Sequence, residues 1–269
     1  PTFCDVGDDQ NLDPNLLEEA ITTRTKAILP VHLRGNPADM APILQIAAKH
    51  NLHVVEDAAQ AIGASIDEKP VGSFGIAAGF SLHPLKNINV WGDGGVLTTN
   101  SEELNSRVRM LRNHGLKNRD EAEMFGYNSR LDTIQAIVAL HLLRDLDRIT
   151  NARIANAAFY DQNLADLGEY IKTPQRKDNV RHVFHTYVIE AERRDQLVRY
   201  LTENGVEAKI HYAMPLHLQK CCDSLGYKVG DFPVCEAQCK RVLTLPVHQH
   251  LTEEQLSYVV DTIHVFYQG

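Results

Sequence analysis

The chain lacks any apolar stretch near the ~20 residues that span a bilayer. Its longest candidate, Ala136 to Leu143, is broken by His141, so a soluble, cytoplasmic protein with no membrane partner is expected. It also lacks a run of Lys and Arg: 27 basic against 35 acidic residues leave a net charge of -8. No basic stripe can displace phosphate counterions, which argues against a nucleic-acid partner. Cysteine is scarce and odd in number, five residues in 269, and a chain of this size needs no disulfide staples, so reduced thiols are expected. Four of them (Cys221, Cys222, Cys235 and Cys239) lie near His211 and His217, yet no C-x-x-C pair exists and Cys235 to Cys239 is one helical turn. No metal site is expected from that spacing. Internal repeats, low-complexity segments and Gly/Ser linkers are missing as well. The first residues, Pro1-Thr2-Phe3-Cys4-Asp5, contain neither an initiator Met nor a charged-then-apolar leader, so a start that is trimmed or partial is expected.

What is present is an ordinary globular composition, 43% hydrophobic and 23% charged, sufficient to bury a core. Apolar runs alternate with helical periodicity. Residues 26–32 read as a buried strand, 37–50 as a helix and 52–56 as the next strand, an order that implies a right-handed crossover and parallel pairing. Strands are expected near 79–83 and 95–99, with a helix over 101–112 whose Ser101 and Glu103 suit a cap and an acidic first turn. Residues 131–167 read as one long helix or two. Beyond Pro174 the pattern predicts strands at 183–190 and 207–211 and helices over 194–204, 232–241 and 252–266. The fold class is therefore α/β, a mostly parallel sheet flanked by helices over residues 1–150, followed by a smaller α+β domain over 151–269.

The chemistry centres on Lys86 in Phe80-Ser81-Leu82-His83-Pro84-Leu85-Lys86-Asn87, which is followed by Gly92-Asp93-Gly94-Gly95. A lysine nucleophile needs a crevice that favours its neutral amine. Asp57 ends the strand Leu52-His53-Val54-Val55-Glu56, and open α/β sheets bind ligands beyond the carboxyl ends of their strands. A carboxylate there can pair with a pyridinium nitrogen and turn the ring into an electron sink. Ser81 and the glycine-freed amides of the following turn can hold a phosphate. Serine, lysine and strand-end aspartate in that arrangement suit pyridoxal 5'-phosphate held as a Schiff base. A capping aspartate and a solvated loop lysine are the bland readings of the same residues taken singly. His83, two residues beyond Ser81, falls on the same strand face by the period of two, where it either lines the site or serves as a structural histidine.

These motifs, together with Val54 to Gly63, Gly126-Tyr127-Asn128-Ser129-Arg130-Leu131-Asp132, Pro30-Val31-His32-Leu33-Arg34-Gly35 and Leu245-Pro246-Val247-His248, resemble the DegT-type (DegT/StrS) sugar aminotransferases of fold type I over nearly the whole chain. The resemblance implies Lys86 as the Schiff-base lysine and proton shuttle, Asp57 on the ring nitrogen, Gln60 on the ring-hydroxyl side and Ser81 on the phosphate. It implies Asn128 reaching the phosphate of a neighbouring subunit's cofactor, hence a homodimer, with His211, Tyr212 and His217 facing the substrate from the small domain. Family members carry a phosphate-binding turn and a ring-stacking aromatic ahead of the stretch where this chain begins, so the large domain is expected to be partial. Ile76 stands where the family often has Asp.

The implied reaction is ping-pong transfer of an amino group from an amino acid, L-glutamate, to a nucleotide-linked keto-sugar in amino-sugar, polysaccharide or antibiotic biosynthesis. The alternatives are a sugar dehydratase, which would carry histidine in place of Lys86, and a cofactor-binding regulatory or inactive fragment of the same fold.

Overall fold

In the computed structural model, which describes residues 1–269, the chain opens with a short helix, α1 (Pro14–Leu17), capped by the Asp13 side chain. Strand β1 is only Ala27–Ile28, shorter than the expected 26–32, because Pro30 has no N–H to continue a ladder. Pairing resumes irregularly: the Asp57 N–H donates to Pro30 O and the His32 N–H to Asp57 O, both at 2.9 Å. Helix α2 (Met40–Lys49) turns Met40, Ile43 and Ala47 onto Ile28 and on Val54 of strand β2 (His53–Asp57). Strands β3 (Ser65–Ile66) and β4 (Lys69–Pro70) form a hairpin through Asp67 and Glu68, both at positive φ as its tight turn requires. Strands β5 (Ala77–Ser81) and β6 (Gly95–Thr99) complete a sheet of order β1-β2-β5-β6, parallel except for β6.

Helix α3 (Glu102–Leu111) starts where Ser101 Oγ accepts the Leu104 N–H at 3.2 Å. The long helical stretch resolves into two, α4 (Thr133–Leu143) and α5 (Leu146–Asn163). Next come β7 (Ile171–Lys172), β8 (Val180–Arg181) and β9 (Tyr187–Ala191), then α6 (Arg194–Glu203), α7 (Pro233–Arg241), β10 (Val242–Leu245) and α8 (Glu253–Gln268). Strands β10-β9-β7 form an antiparallel sheet, while β8 pairs with β3 and so ties the later chain to the earlier.

Two further strand expectations need correction. The 183–190 strand starts at Tyr187, because the Arg153 guanidinium takes the carbonyls of Phe184 and His185 at 3.0 and 3.2 Å and holds that segment off the ladder. Residues 207–211 form no strand; one bridge joins Lys209 to Thr244, and the His211 carbonyl is turned toward Arg34. The strand that forms there is β10, at the edge of the sheet beside the central β9, and its four buried residues follow α7 without a break.

Apolar packing divides along α5. Its Ile149 joins Leu82, Ile88 and Val90 beneath the parallel sheet. Its Ala157 and Tyr160 join the largest core, with Tyr187, Ile189, Leu197, Leu243 and Ile263.

Glu56 is 1% exposed and on the face of β2 opposite Asp57. Its Oε2 accepts from His32 Nε2 at 3.0 Å and from the Gly72 N–H at 2.7 Å. Its Oε1 accepts the N–H groups of Phe74 and Gly75 at 2.8 and 2.7 Å. His32 Nδ1 in turn accepts the Ala38 N–H at 3.0 Å, which places the ring proton on Nε2. Gly75 is required in this turn, since a Cβ there would meet the Val54 carbonyl oxygen. Burial alone would raise the Glu56 carboxyl, but the hydrogen bonds from His32, Gly75 and Gly72 outweigh it and hold the group below the usual glutamate value. Replacing Glu56 by Ala strands three backbone donors and the imidazole, and is expected to cost about 3–5 kcal/mol in denaturant unfolding, with Glu56→Gln losing less. Because the folded carboxyl binds its proton more weakly than the unfolded one, its stabilisation is full above the ordinary glutamate range and declines as pH falls through the lowered value. A pH series of unfolding midpoints for wild type and Glu56→Gln checks that sign.

Candidate active site

A cavity of ≈ 420 Å³ opens where β2 and β5 end, lined by Ser81, His83 and Lys86 from the large layer and by His185, His211 and Tyr212 from the later chain. Strand ends converge there: Ser81, on the cavity wall, closes β5 opposite Gly95 of β6, while Asp57 closes β2 opposite Gly79 of β5 and is not itself on the wall. The Ser81–Lys86 turn is held by short bonds. Ser81 Oγ accepts the His83 N–H at 3.2 Å, and the Lys86 N–H donates to His83 O at 2.8 Å. The turn that begins at Gly92 is anchored from α4, where Gln135 bonds both the N–H and the carbonyl of Trp91, at 2.8 and 3.0 Å.

Lys86 is half-buried. Desolvation lowers its ammonium below the ordinary lysine value, and the Asp57 carboxylate offsets part of that fall. Asp57 is partly committed to its own turn, its Oδ1 accepting the Ala59 N–H at 3.0 Å; a carboxylate has further acceptor sites. Gln60 Oε1 accepts the Arg34 N–H at 2.6 Å, and Gln60 Nε2 lies 3.5 Å from the Tyr212 hydroxyl. An amine with a lowered pKa, a carboxylate close enough to act on it, a serine hydroxyl and a cavity of this volume together fit pyridoxal 5'-phosphate.

Other sequence-derived candidates fall in different places. His83 is exposed at the rim, beyond the end of β5 rather than on the strand, and its Nδ1 accepts the Leu85 N–H at 3.2 Å. His211 Nδ1 lies 3.0 Å from Thr244 Oγ1, and burial followed by the charges of Arg34 and Lys209 lowers its pKa. His217 is outside the cavity: it is 5% exposed, packs on Phe232, and its Nε2 lies 3.1 Å from Glu236 Oε1. It therefore organises α7 rather than facing a substrate. Asn128 is exposed, away from this chain's own cavity, with its Oδ1 accepting from Arg130 Nε at 3.1 Å.

Sequence reading missed His185 and Thr186 and quoted Arg34 only inside a motif; all three line the cavity. His185 Nδ1 donates to Asn87 Oδ1 at 3.3 Å, and Asn87 is itself buried. Burial, then the Lys86 charge, lowers His185 to about 3, so the ring stays neutral with Nε2 free to accept. Its only signal in the sequence was a histidine inside an apolar run, a pattern shared by structural histidines.

The geometry has company among known proteins. The model of the DegT/DnrJ/EryC1/StrS aminotransferase family matches residues 1–264. A protein of Geobacillus stearothermophilus called a pleiotropic regulatory protein is 45% identical over 270 residues, covering 100% of this chain and 73% of its own. The dTDP-3-amino-3,4,6-trideoxy-alpha-D-glucose transaminase of Streptomyces venezuelae is 41% identical over 256 residues, covering 95% and 67%. The crystal structure of DesV from S. venezuelae superposes with a TM-score of 0.93 at 40% identity, over 97% of this chain and 70% of that one.

The lowered Lys86 pKa is expected to show as reactivity. In competitive acetylation of the cofactor-free protein near pH ~8.5, Lys86 should label faster than the exposed Lys117 by mass spectrometry; equal rates would contradict the electrostatic assignment.

Proposed function

The chain belongs to the DegT/DnrJ/EryC1/StrS aminotransferase family, and from that premise we propose that it transfers an amino group from L-glutamate to a nucleotide-linked keto-sugar. The observation that carries this reading is the placement of Lys86, its amine partly desolvated, in a cavity at the ends of β2 and β5 beside Ser81 and Gln60. The family is pyridoxal 5'-phosphate-dependent, and the transaminase names of relatives concern dTDP- and UDP-linked sugars. When bound, the cofactor supplies a carbonyl for the lysine and an electron sink for the substrate's α-carbon.

In this reading Asp57 holds a proton on the ring nitrogen, Gln60 orients the ring through its hydroxyl and Ser81 Oγ donates to the phosphate. Lys86 Nζ, free once the amino acid is bound, would take the proton from the substrate's α-carbon and deliver it to the cofactor carbon on the other side of the amino nitrogen. Neutral His185 leaves that amine free of a competing proton donor on its side. His211 and Tyr212 close the cavity from the small domain, whose boundary is placed near residue 150. His83, at the rim, is left to the sugar.

Asn128 is assigned to the cofactor phosphate of a second copy. Support for a homodimer comes from the exposed apolar face around it: Phe125, Tyr127, Ile134, Ile137, Leu140 and Trp91 are each 60% exposed or more.

Purified protein loaded with cofactor should aminate a member of a panel of dTDP- and UDP-linked keto-sugars with glutamate as donor. Lys86→Ala should lower that rate by at least about 10³-fold. Absence of turnover across the panel would overturn the reading. Mixing inactive Lys86→Ala with inactive Asn128→Ala subunits should restore about a quarter of wild-type activity, since each mixed dimer has one intact site. No recovery on mixing would remove Asn128 from the shared site.

A further inference from the structure

Lys86 is followed by an asparagine to which the reaction above gives no task. Asn87 is 3% exposed, and a primary amide removed from water is unfavourable unless its donors and its acceptor are matched. Its partners lie 96 and 98 positions away, on the segment that precedes β9. Asn87 Nδ2 donates to Val183 O at 3.0 Å, and its Oδ1 faces His185 Nδ1 at 3.3 Å. That segment is fixed on its other sides too. The Val183 N–H donates to Gly35 O at 3.0 Å and the His185 N–H to Arg34 O at 2.9 Å, while Arg153 holds the carbonyls of Phe184 and His185. Asn87 thus joins the lysine turn to a strap that three other residues already hold.

The same amide places a proton. With its NH2 on a peptide carbonyl it has only its oxygen left for the ring, because the reverse orientation would press two oxygens together. An oxygen in that position accepts from Nδ1, so the neutral ring carries its proton on Nδ1 and a lone pair on Nε2. His185 lines the same cavity as Lys86, and Nε2 has no hydrogen-bond partner in the chain. Burial and the charges of Lys86, Arg153 and His211 oppose a second proton on the ring.

A fixed neutral acceptor beside a working amine has a use. The free amine has two hydrogens and one lone pair, and it takes a proton only along that lone pair. An acceptor that engages one N–H restricts the amine's rotation and turns the lone pair away from itself. A carboxylate in that role, such as Asp93 on the wall, would hold the amine protonated and stop it acting as a base. Ser81 is assigned to the phosphate, and Gln60 Oε1 is taken by the Arg34 N–H. The other wall histidine, His211, feels Arg34 and Lys209 rather than Lys86.

Resting on the aminotransferase reading, we propose that His185, held by Asn87, is the positioning residue for Lys86: its Nε2 accepts an N–H of the free amine and directs the lone pair to the carbon whose proton moves. The task belongs to both halves of the cycle, because the same amine moves the proton in each.

The tautomer is read first, in the cofactor-free protein. Nitrogen NMR of isotope-labelled histidine should show His185 protonated on Nδ1 and bare on Nε2 through neutral pH, and Asn87→Asp should raise its titration. The opposite tautomer, or a wild-type ring that titrates at the ordinary histidine value, would overturn the inference. In the cofactor-loaded enzyme, His185→Leu should lower kcat about 10²-fold in both half-reactions while the KM for glutamate changes less than about threefold. With α-deuterated glutamate its primary isotope effect should be at least as large as that of wild type. His185→Gln keeps an acceptor and should recover about tenfold of the loss; it decides the matter against wild type if His185→Leu does not fold. A loss confined to one half-reaction, a smaller isotope effect, or equal rates for the Leu and Gln variants would each overturn the assignment. A wild-type enzyme that aminates no keto-sugar, with the tautomer as stated, would instead overturn the function on which it rests.

Discussion

The buried Glu56 carboxylate is the constraint on which the rest of the structure depends. It gathers donors from the His32 ring and from the turn at Gly72, Phe74 and Gly75, so two separate segments are referenced to one point on β2. The charge is tolerable in a dry interior because four hydrogen bonds replace the lost water. Once β2 and the start of β5 are locked together, the alternation of side chains along β2 puts Asp57 on the other face, at the strand end where the cavity opens. The placement of Asp57 and Ser81 at the strand ends is therefore inherited from a buried residue on the opposite face of β2.

A second division of labour runs through the later half of the chain. Asp5, near the start, accepts the N–H groups of Val234 and Cys235 at 3.0 Å each and so caps α7. Strand β8 pairs with β3 across the same divide. These polar ties, with Arg34 reaching the His211 carbonyl, hold the later part of the chain against the cavity that contains the lysine. The two apolar clusters that meet along α5 are otherwise separate, while Val183 packs with Ala58, Ala61, Ala64 and Val71 across the divide. Contacts of this kind are directional and bring His185, His211 and Tyr212 to defined places on the wall, which an apolar interface alone would not do.

Much of this was legible beforehand because it is local. The spacing of Met40, Ile43 and Ala47 announces α2, Ser101 announces the start of α3, and the Ser81–Lys86 and Gly92–Gly95 turns announce a site by residue type and order. What failed did so for physical reasons. The expected strand at 207–211 has the right composition but gives its last carbonyl, that of His211, to Arg34 instead of to a neighbouring strand. β10 was missed because Val242-Leu243-Thr244-Leu245, directly after a helix, is too short a run to show a strand period. The resemblance set His217 facing the substrate; in the structure it lies outside the cavity, against Glu236 and Phe232.

The amino-acid sequence by itself determined the alternating α/β order, the helix starts and the identity of the lysine turn, since these follow from periodicity, caps and residues within one or two turns of each other. Only the tertiary structure decided which distant groups meet the lysine. Arg34 lies 52 positions before Lys86 and His185 lies 99 after it, and nothing local marks either as part of the wall. Their placement comes from long-range hydrogen bonds to Gln60, Asn87 and His211, whose energies exist only once the layers have packed and water has been excluded.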